Sequence, residues 1–550
     1  MRSSLPHRAA RWVRRSVTCC GPENSMEGQP PEDGASAVHG GRAPTLTRTT
    51  RACHPRHGSR RSGRKPLTWR CIVWFAAAMV TGTGPCLGQP PSGGSDGETA
   101  WNFVVILCDN LGYGDVGCFG STRYRTPHLD RMAAEGLRLT HCYSASGVCT
   151  PSRAALLTGC YPRRVGLDNP QPDGAVLRPV SHNGLHPEEI TIAEVLRGVG
   201  YTTTCIGKWH LGDQPAFLPT RQGFDSFFGI PYSDDMTPRP GTNWPPLPLM
   251  EGERVVEAPV DRNELTRRYT ERAIAFMEAN RQRPFFLYLP HAMPGSTTAP
   301  FSSGRFRGAS GEGPYGDAVL ELDWSAGAIL DAIRRVGIAD HTLVVWTSDN
   351  GAPRRNPPQG SNAPLKGWGY SIEEGGMRVP AIVWAPGTIA AGQQCAELCT
   401  LMDLLPTFAH LAGAELPADR VIDGHNVWSL WCNPHTERSP YDAFYYYHRD
   451  RLRAVRSGPW KLYLAEDEPT AGGGSPQEFA YRPTGLFHLV KDVAEQRNEL
   501  ARRPEVVDRL LGYARRAGQD LGDGARVGAN VRPVGWVEHP TPRLVKNPAR

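Results

Sequence analysis

The stretch NFVVILC, residues Asn102–Cys108, is a nearly continuous run of apolar side chains. A strand buried on both faces of a sheet reads as such an unbroken run, and Thr342–Ser348 (TLVVWTS) has the same character. Between them, strand-like segments such as Thr202–Gly207 and Phe285–Leu289 alternate with helical stretches such as Arg262–Asn280. Strands separated by helices predict an α/β fold with a large mixed, mostly parallel sheet flanked by helices.

The alternation of strands and helices fades after about residue 430. Alternating runs at Leu452–Val455 and Trp460–Leu464 predict a small antiparallel sheet, and Pro504–Ala517 has the pattern of a helix. We therefore expect a main domain over residues 99–430, followed by a C-terminal subdomain and tail over residues 431–550.

The N-terminal hundred residues have the composition of a leader. Residues 1–70 carry 14 Arg and Lys against 4 Asp and Glu, without an apolar period, which predicts a disordered basic segment. The apolar run Cys71–Val80 follows, and small residues at Cys86 and Gly88 suit cleavage before Gln89. Residues 71–88 thus resemble a secretory signal, and we expect an exported (periplasmic or secreted) protein. The alternative is a basic arm that is not cleaved. The apolar run is too short for a stable membrane span.

The formal net charge of +6 is concentrated at the N-terminus. Residues 1–70 contribute +10 and residues 71–98 contribute −2, which leaves −2 for residues 99–550. Without the leader the chain has no bulk positive field, so we expect no nucleic-acid partner. An anionic ligand would have to be bound by local groups.

Nine of the 14 cysteines lie beyond residue 98. Cys108 and Cys205 fall in apolar strand-like runs, which predicts buried thiols. Export would permit disulfides among the others, but their pairing cannot be derived from spacing.

Asp-Asn pairs follow two of the predicted strands, at Asp109-Asn110 and Asp349-Asn350. Ligands gather at the carboxyl ends of strands in α/β sheets, and oxygen donors suit a hard cation such as Ca²⁺. Taken alone, each pair favours a turn after a strand over a metal site. The prediction of a Ca²⁺ site, one per chain, therefore depends on the motifs that surround the two pairs.

The segment Cys149–Gly159 reads CTPSRAALLTG. It matches the pattern C-x-P-S-R-A-x-L-L-T-G, so the chain resembles the sulfatases, formylglycine-dependent and arylsulfatase-like members of the alkaline phosphatase superfamily. The resemblance extends from about Asn102 to about Leu500 and implies an alkaline-phosphatase-like fold. It also implies that a formylglycine-generating maturation enzyme converts Cys149 into formylglycine (3-oxoalanine), the catalytic nucleophile.

The same segment predicts its own local structure. Pro151 suits the first position of a helix, and Gly159 suits its end. Cys149 would then lie at a helix N-terminus, where backbone N–H groups favour an anion. Arg153 would lie one turn along, where we expect it to hold the nucleophile or the sulfate oxygens.

Two further segments resemble sulfatase motifs. Gly207–Gly212 reads GKWHLG, and the resemblance implies that Lys208 binds sulfate while His210 bonds to the formylglycine hydrate and assists catalysis. The sequence IPYS ends at Ser233, whose hydroxyl would contact sulfate.

The surroundings of both Asp-Asn pairs resemble the metal motifs of the family. The metal ligands implied are Asp109, Asn110, Asp349, Asn350 and Cys149.

Three positions depart from the family pattern. Asn110 stands where a second Asp is usual, which leaves two carboxylates instead of three and should weaken calcium binding. Gly295 and Gly369 stand where a sulfate-contacting histidine and lysine are usual, and Lys366 takes a usual arginine position. We expect reduced activity, or substrate contacts from substitutes such as His291 and Lys366.

These observations favour a sulfuric ester hydrolase that releases inorganic sulfate from an aryl or carbohydrate sulfate ester. Two alternatives remain open at this point. One is a non-catalytic protein that binds sulfated glycans through a degenerate site, and the other is a related phosphodiester or phosphonate hydrolase.

Overall fold

The computed structural model describes residues 100–545, apart from 170–173, 466–469 and 472–478. The predicted basic leader and signal segment lie outside the described residues. Of residues 470 and 471 only the backbone is described. Within the described part of the chain, no helix has both the length and the apolar character that crossing a membrane requires.

The strands, in chain order, are β1 (Asn102–Asp109), β2 (Leu137–Tyr143), β3 (Asn183–Gly184), β4 (Thr202–Ile206), β5 (Ser226–Gly229), β6 (Leu249–Glu251), β7 (Arg254–Glu257), β8 (Phe285–Pro294), β9 (Thr342–Ser348), β10 (Arg378–Trp384), β11 (Gln393–Cys395), β12 (Cys399–Thr400), β13 (Phe444–His448), β14 (Arg451–Ser457), β15 (Trp460–Leu464), β16 (Thr470–Ala471), β17 (Phe479–Ala480), β18 (Pro483–His488), β19 (Gly522–Asp523), β20 (Arg526–Val527) and β21 (Gly535–Trp536).

The α-helices are α1 (Pro127–Glu135), α2 (Cys149–Thr158), α3 (Ile192–Gly198), α4 (Leu265–Asn280), α5 (Gly313–Arg335), α6 (Glu374–Met377), α7 (Leu404–Leu411), α8 (Trp428–Cys432) and α9 (Pro504–Leu521). Short 3₁₀ helices span Tyr113–Asp115, Gly117–Phe119, Pro215–Phe217, Pro219–Arg221, Arg262–Glu264, Ala339–His341, Leu401–Asp403 and Leu500–Arg502.

The large sheet has eleven strands in the order β11-β2-β10-β9-β1-β8-β4-β5-β6-β7, with β12 also paired to β2. Its centre is parallel: β1 pairs with β8 and β9, and β4 pairs with β5 and β8. Antiparallel pairs enter on both sides, through β10 and through β6 and β7. The predicted large, mixed, mostly parallel sheet is confirmed.

The central strand β1 is buried along its whole length. Phe103, Val105 and Leu107 face one hydrophobic cluster, while Val104 and Ile106 face another. Because successive side chains of a strand point to opposite faces, this alternation shows apolar packing on both faces of the sheet. Because both faces are buried, the segment lacks the alternation of apolar and polar residues that a half-exposed strand has.

A second sheet near the C-terminus has the order β13-β14-β15-β18 and is antiparallel throughout. Helix α9 packs on it, and their apolar residues form one cluster. Lys461 of β15 donates to the Glu374 carboxylate of α6 (3.0 Å) and to the Ile372 carbonyl (2.9 Å). These hydrogen bonds connect the small sheet to the segment that leads into β10 of the large sheet. The small antiparallel sheet was predicted from the runs that form β14 and β15, but β13 and β18 were not predicted.

Several boundaries match the sequence prediction closely. The structure has the predicted strands at Thr342–Ser348 and Trp460–Leu464 with the same limits. β8 runs five residues further than the apolar run that predicted it, to Pro294. Helix α4 begins at Leu265 because a 3₁₀ turn occupies Arg262–Glu264.

Candidate active site

Two carboxylates meet at the carboxyl ends of β1 and β9. Asp109 is the last residue of β1, and Asp349 and Asn350 follow β9, its parallel neighbour. The Asp349 N–H donates to the Cys108 carbonyl (3.0 Å), and the Asn110 N–H donates to Asp349 Oδ1 (3.0 Å). Asn110 has a φ of 61°, a left-handed conformation that Asn adopts more readily than most residues. The two Asp-Asn pairs therefore form one cluster, as the sequence predicted.

Cys149 joins this cluster from the start of α2. One ligand atom each from Asp109, Cys149 and Asp349 lies within 4.8 Å of the others, and all three residues are buried. The Cys149 thiol lies 3.8 Å from Asn110 Oδ1, which also accepts from Asn350 Nδ2 (2.6 Å). Asn350 Oδ1 is buried and accepts no hydrogen bond from the described residues. A buried oxygen without a donor, beside two carboxylates, fits a hard cation.

Helix α2 places Cys149 at its first position. Val148 before it is extended, and the Ser152 N–H donates to the Val148 carbonyl (3.1 Å). Pro151 is therefore the third helical residue, not the first as we expected. This position also costs no hydrogen bond, because the first four N–H groups of a helix have no intrahelical acceptor. Gly159 ends the helix with a φ of 66°, as predicted.

Arg153 binds the carboxylates of both Asp109 and Asp349. Its Nε and Nη2 donate to Asp349 Oδ2 (3.0 and 2.8 Å), and Nη2 also donates to Asp109 Oδ1 (2.9 Å). Nη1 donates to the Lys208 carbonyl (2.7 Å). The guanidinium is completely buried. Its contacts fix the positions of the carboxylates and of the Lys208 loop.

Lys208 completes a buried charge network. Its Nζ donates to Asp109 Oδ1 (2.7 Å) and to the Ser233 hydroxyl (3.1 Å). Burial by itself would lower the pKa of Lys208, but the neighbouring acidic groups, Asp109 foremost, together outweigh burial and raise it. Lys208 is therefore a fixed ammonium beside the nucleophile position, and Ser233 is held next to it.

The pKa values of the acidic groups in this cluster are shifted in opposite directions. Burial would raise the pKa of Asp109, but Lys208 and Arg153 lower it below the usual range. Burial and the neighbouring charge of Asp109 raise the pKa of Asp349. Burial, followed by Asp109, raises the pKa of the Cys149 thiol well above its usual value. The unmodified cysteine is thus held as a thiol.

A glycine allows the Lys208 loop to approach the sheet closely. Gly207 follows β4 with a φ of 140°, and a Cβ there would lie 1.9 Å from the Pro290 carbonyl oxygen. The Lys208 N–H donates to that same carbonyl (2.7 Å). Any side chain at position 207 would push this loop, and Lys208 with it, away from β8.

The His210 ring has a defined tautomer. Its Nε2 lies 2.9 Å from the Leu177 carbonyl, which can only accept, so Nε2 carries the proton. Nδ1 is buried and has no partner among the described residues. Burial, with Lys208 and Arg153 adding to it, lowers the pKa of His210 well below its usual value. His210 therefore presents a neutral nitrogen that can accept a proton.

The other two predicted substrate residues point elsewhere. His291 is buried against α5 with Nε2 3.2 Å from the Ser325 hydroxyl. Lys366 lies 3.4 Å from Glu373 and over the rings of Tyr463 and Phe487 (5.5 Å each). The structure therefore groups Asp109, Asn110, Cys149, Arg153, Lys208, His210, Ser233, Asp349 and Asn350, but gives His291 and Lys366 no contact with that group among the described residues.

Four residues near the cluster were not singled out from sequence. Thr150 donates to the His210 carbonyl (3.0 Å) and accepts from the Leu177 N–H (3.1 Å). Ser296 accepts from Asn110 Nδ2 (3.2 Å) and lies 2.8 Å from the hydroxyl of the exposed Tyr370. The fourth residue is Asp234. Thr150 lies inside the cysteine motif and Asp234 follows Ser233, so proximity in sequence was the available signal.

The comparisons with known proteins agree with this geometry. A family model described as Sulfatase matches residues 101–414. The chain is 40% identical over 449 residues to arylsulfatase A of Homo sapiens, covering 74% of this chain and 86% of that protein. It is 36% identical over 510 residues to steryl-sulfatase of Mus musculus, covering 75% and 81%.

Solved structures share the fold. The crystal structure of Ps i-CgsB in complex with k-i-k-neocarrahexaose has a TM-score of 0.62 at 27% identity, covering 76% of this chain and 92% of that chain. With the family model and the relatives, this places the chain in the sulfatase family of hydrolases. The sequence resemblance is confirmed.

Proposed function

We propose that this protein releases inorganic sulfate from an aryl or carbohydrate sulfate ester, using formylglycine at Cys149 and one bound Ca²⁺. The observation that carries the proposal is the position of Cys149. It lies at a helix N-terminus, with its sulfur grouped with Asp109 and Asp349 and with Lys208 held on the same carboxylate.

The two absent groups have defined places in this proposal. A formylglycine hydrate supplies two hydroxyls on one carbon, one to attack sulfur and one to expel sulfate afterwards. A bound Ca²⁺ supplies positive charge that stabilises the anionic oxygens of the reacting group. The residues that would hold the cation are Asp109, Asn110, Asp349 and Asn350, together with position 149. Their buried oxygens, including the unpartnered Asn350 Oδ1, support this assignment.

The chain's own residues have separate tasks. Lys208 is a buried ammonium, and its distance to Ser233 gives two neighbouring donors for sulfate oxygens. His210 Nδ1, which is buried without a partner among the described residues, would accept a proton from a hydroxyl at position 149. Arg153 is a positioning residue, since its nitrogens already bind Asp109, Asp349 and the Lys208 carbonyl.

The proposed substrate is an aryl or carbohydrate sulfate ester. The relatives' names include an arylsulfatase and a steryl-sulfatase, and one similar solved structure contains an oligosaccharide. These names differ in the group that leaves, so they support sulfate as the common part of the substrate. Export and conversion by a formylglycine-generating enzyme belong to the same proposal.

The test is sulfate release by protein produced together with a maturation enzyme. The chain and its Cys149→Ala variant are assayed on 4-nitrophenyl sulfate and on sulfated monosaccharides, with Ca²⁺ and after chelation. We expect sulfate release that requires Cys149 and falls on chelation. Binding of sulfated sugar without release by fully converted protein would favour the non-catalytic alternative. Faster release of phosphate from the matching phosphate ester would favour the phosphohydrolase alternative.

A further inference from the structure

Asp234 has a buried carboxyl group that the proposed function does not use. The residue is completely buried, and neither Oδ1 nor Oδ2 has a hydrogen-bond partner among the described residues. Leaving a buried carboxyl unpaired is costly, so buried polar groups nearly always have partners. Its main-chain carbonyl, by contrast, accepts from Arg262 Nη1 (3.2 Å). A functional role would explain why the side chain alone is left open.

The Asp234 carboxyl lies beside the cluster on the side of β8. The preceding residue, Ser233, has its hydroxyl on Lys208. A Cβ placed on Gly295 would lie 2.9 Å from Asp234 Oδ1, and the Gly295 N–H donates to the Asp109 carbonyl (3.0 Å). The carboxyl therefore fills the space that a side chain at position 295 would otherwise enter.

At position 295 this chain lacks a side chain that sulfatases usually have. By the resemblance of the surrounding segment, a histidine that contacts sulfate usually stands where this chain has Gly295. The described contacts take the His291 Nε2 to Ser325 (3.2 Å) and the Lys366 Nζ to Glu373 (3.4 Å), and none takes either side chain to position 295. Among the described residues, Asp234 brings a carboxyl group to this space, while the Arg355 guanidinium bonds to the Gly295 carbonyl.

We propose that Asp234 is the catalytic acid that protonates the departing oxygen of the sulfate ester. The proposal rests on the proposed sulfatase function. As the bond between sulfur and the ester oxygen breaks, its electron pair stays on that oxygen, and the Asp234 O–H transfers its proton to it. The products on this side are a neutral alcohol and the Asp234 carboxylate, which regains a proton from water.

The charges around Asp234 favour its acid form. Burial raises the pKa of Asp234 to about 8, and the neighbouring charges of Asp235 and Asp109 act in the same direction. Lys208 and Arg262 act against them. The carboxyl is thus protonated at neutral pH, and turnover that depends on it should fall as the pH rises through about 8.

The first experiment compares two leaving groups in the same preparation. An alkyl sulfate needs a proton on its departing oxygen, whereas the leaving group of 4-nitrophenyl sulfate is a stable phenolate that departs without one. At pH 6, Asp234→Asn should lower kcat/KM for an alkyl sulfate about 10² to 10⁴-fold more than for the aryl sulfate. Partial misfolding would lower both rates equally, so the ratio isolates proton transfer. Asp340→Asn, a change of the same kind at an exposed position whose charge does not act on Asp234, should preserve the ratio.

The second experiment needs no turnover. Infrared difference spectra of the Cys149→Ala protein, taken between pH 6 and pH 10, should show a carboxylic acid band that is lost with rising pH and is absent when Asp234→Asn is added. In the unsubstituted enzyme, only the alkyl sulfate should show a basic limb in kcat/KM near that pH.

Each result has one meaning. Unequal losses on the two esters, together with the band, support Asp234 as the acid. Equal losses, no loss, or a carboxyl already ionised at pH 6 would overturn this role while leaving the sulfatase function intact. Failure of fully converted, unsubstituted enzyme to hydrolyse either ester would instead overturn the proposed function, and the role of Asp234 with it.

Discussion

Replacing Arg153 by alanine should destabilise the protein far more than an ordinary arginine substitution. Arg153 is completely buried and donates to the carboxylates of Asp109 and Asp349 at 2.8 to 3.0 Å. Among the described residues, Arg153→Ala leaves Lys208 as the one cation on the two buried carboxylates. Removing one partner from a buried ion pair typically costs about 3–5 kcal/mol, because it leaves buried charge uncompensated.

Arg267 provides a matched comparison. It also binds two carboxylates, of Glu264 (2.6 Å) and Glu271 (2.7 Å), but its side chain is 42% exposed. Exposed ion pairs contribute about 0–1 kcal/mol, so Arg267→Ala should cost about 1 kcal/mol or less. The two variants remove the same side chain from two carboxylates and differ in burial, although Arg153→Ala also removes the hydrogen bond to the Lys208 carbonyl.

The measurement is the free energy of unfolding in urea, with chelator and with Ca²⁺. Ca²⁺ should reduce the loss in Arg153→Ala, because the cation compensates the same carboxylates. The loss should also shrink as the pH falls. The pKa of Asp109 is lowered in the folded protein, so the stabilisation from its ion pairs is present at neutral pH and is lost in acid. Equal losses for Arg153→Ala and Arg267→Ala at pH 7 would refute the reasoning.

Three further substitutions test separate parts of the structure. Thr150→Val removes the hydroxyl that binds the His210 carbonyl, so it should cost about 1–3 kcal/mol in urea unfolding and lower kcat. Gly369→Ala should destabilise strongly and Gly369→Lys should not restore activity, because a Cβ would lie 2.2 Å from the Gly351 carbonyl oxygen. Burial raises the pKa of Asp115 to about 7, so its ionisation destabilises the fold as the pH rises from about 4 to 7. In Asp115→Asn, the change in the free energy of unfolding between about pH 4 and pH 7 should therefore be smaller by about 2 kcal/mol or more.

Controls separate these effects from general damage. Thr150→Ser keeps the hydroxyl and should behave as the unsubstituted protein. Gly198→Ala adds a methyl group where no atom lies within 4 Å, so it should be tolerated. Unchanged stability in Gly369→Ala, or an unchanged pH slope in Asp115→Asn, would contradict the corresponding argument.

The sequence predicted the parts of the fold that depend on local pattern. The buried run Asn102–Cys108 indicated a central strand, and the Asp-Asn pairs indicated which strand ends would meet. β2 (Leu137–Tyr143) was missed, although it alternates apolar and polar residues. Its place in the sheet depends on antiparallel pairing with β10, a contact made far away in the chain.

The candidate site was predicted as a set of residues but not as a set of contacts. A motif supplies residue types, whereas the direction of a long side chain depends on its surroundings. Arg153 was expected to hold the nucleophile or the sulfate oxygens, and its guanidinium lies on two carboxylates. Lys366 reaches aromatic rings of the C-terminal sheet. Asp234 could not be identified from sequence, because its role follows from the space beside Gly295, sixty-one positions away.

Peptide mass spectrometry across Cys149 shows whether this residue is converted into the nucleophile. The protein should be made in its own host, or together with a maturation enzyme, with a control sulfatase prepared alongside. We expect an aldehyde at position 149 that a hydrazide reagent traps. Only the unmodified thiol at position 149, in a preparation whose control sulfatase is fully converted, would contradict it.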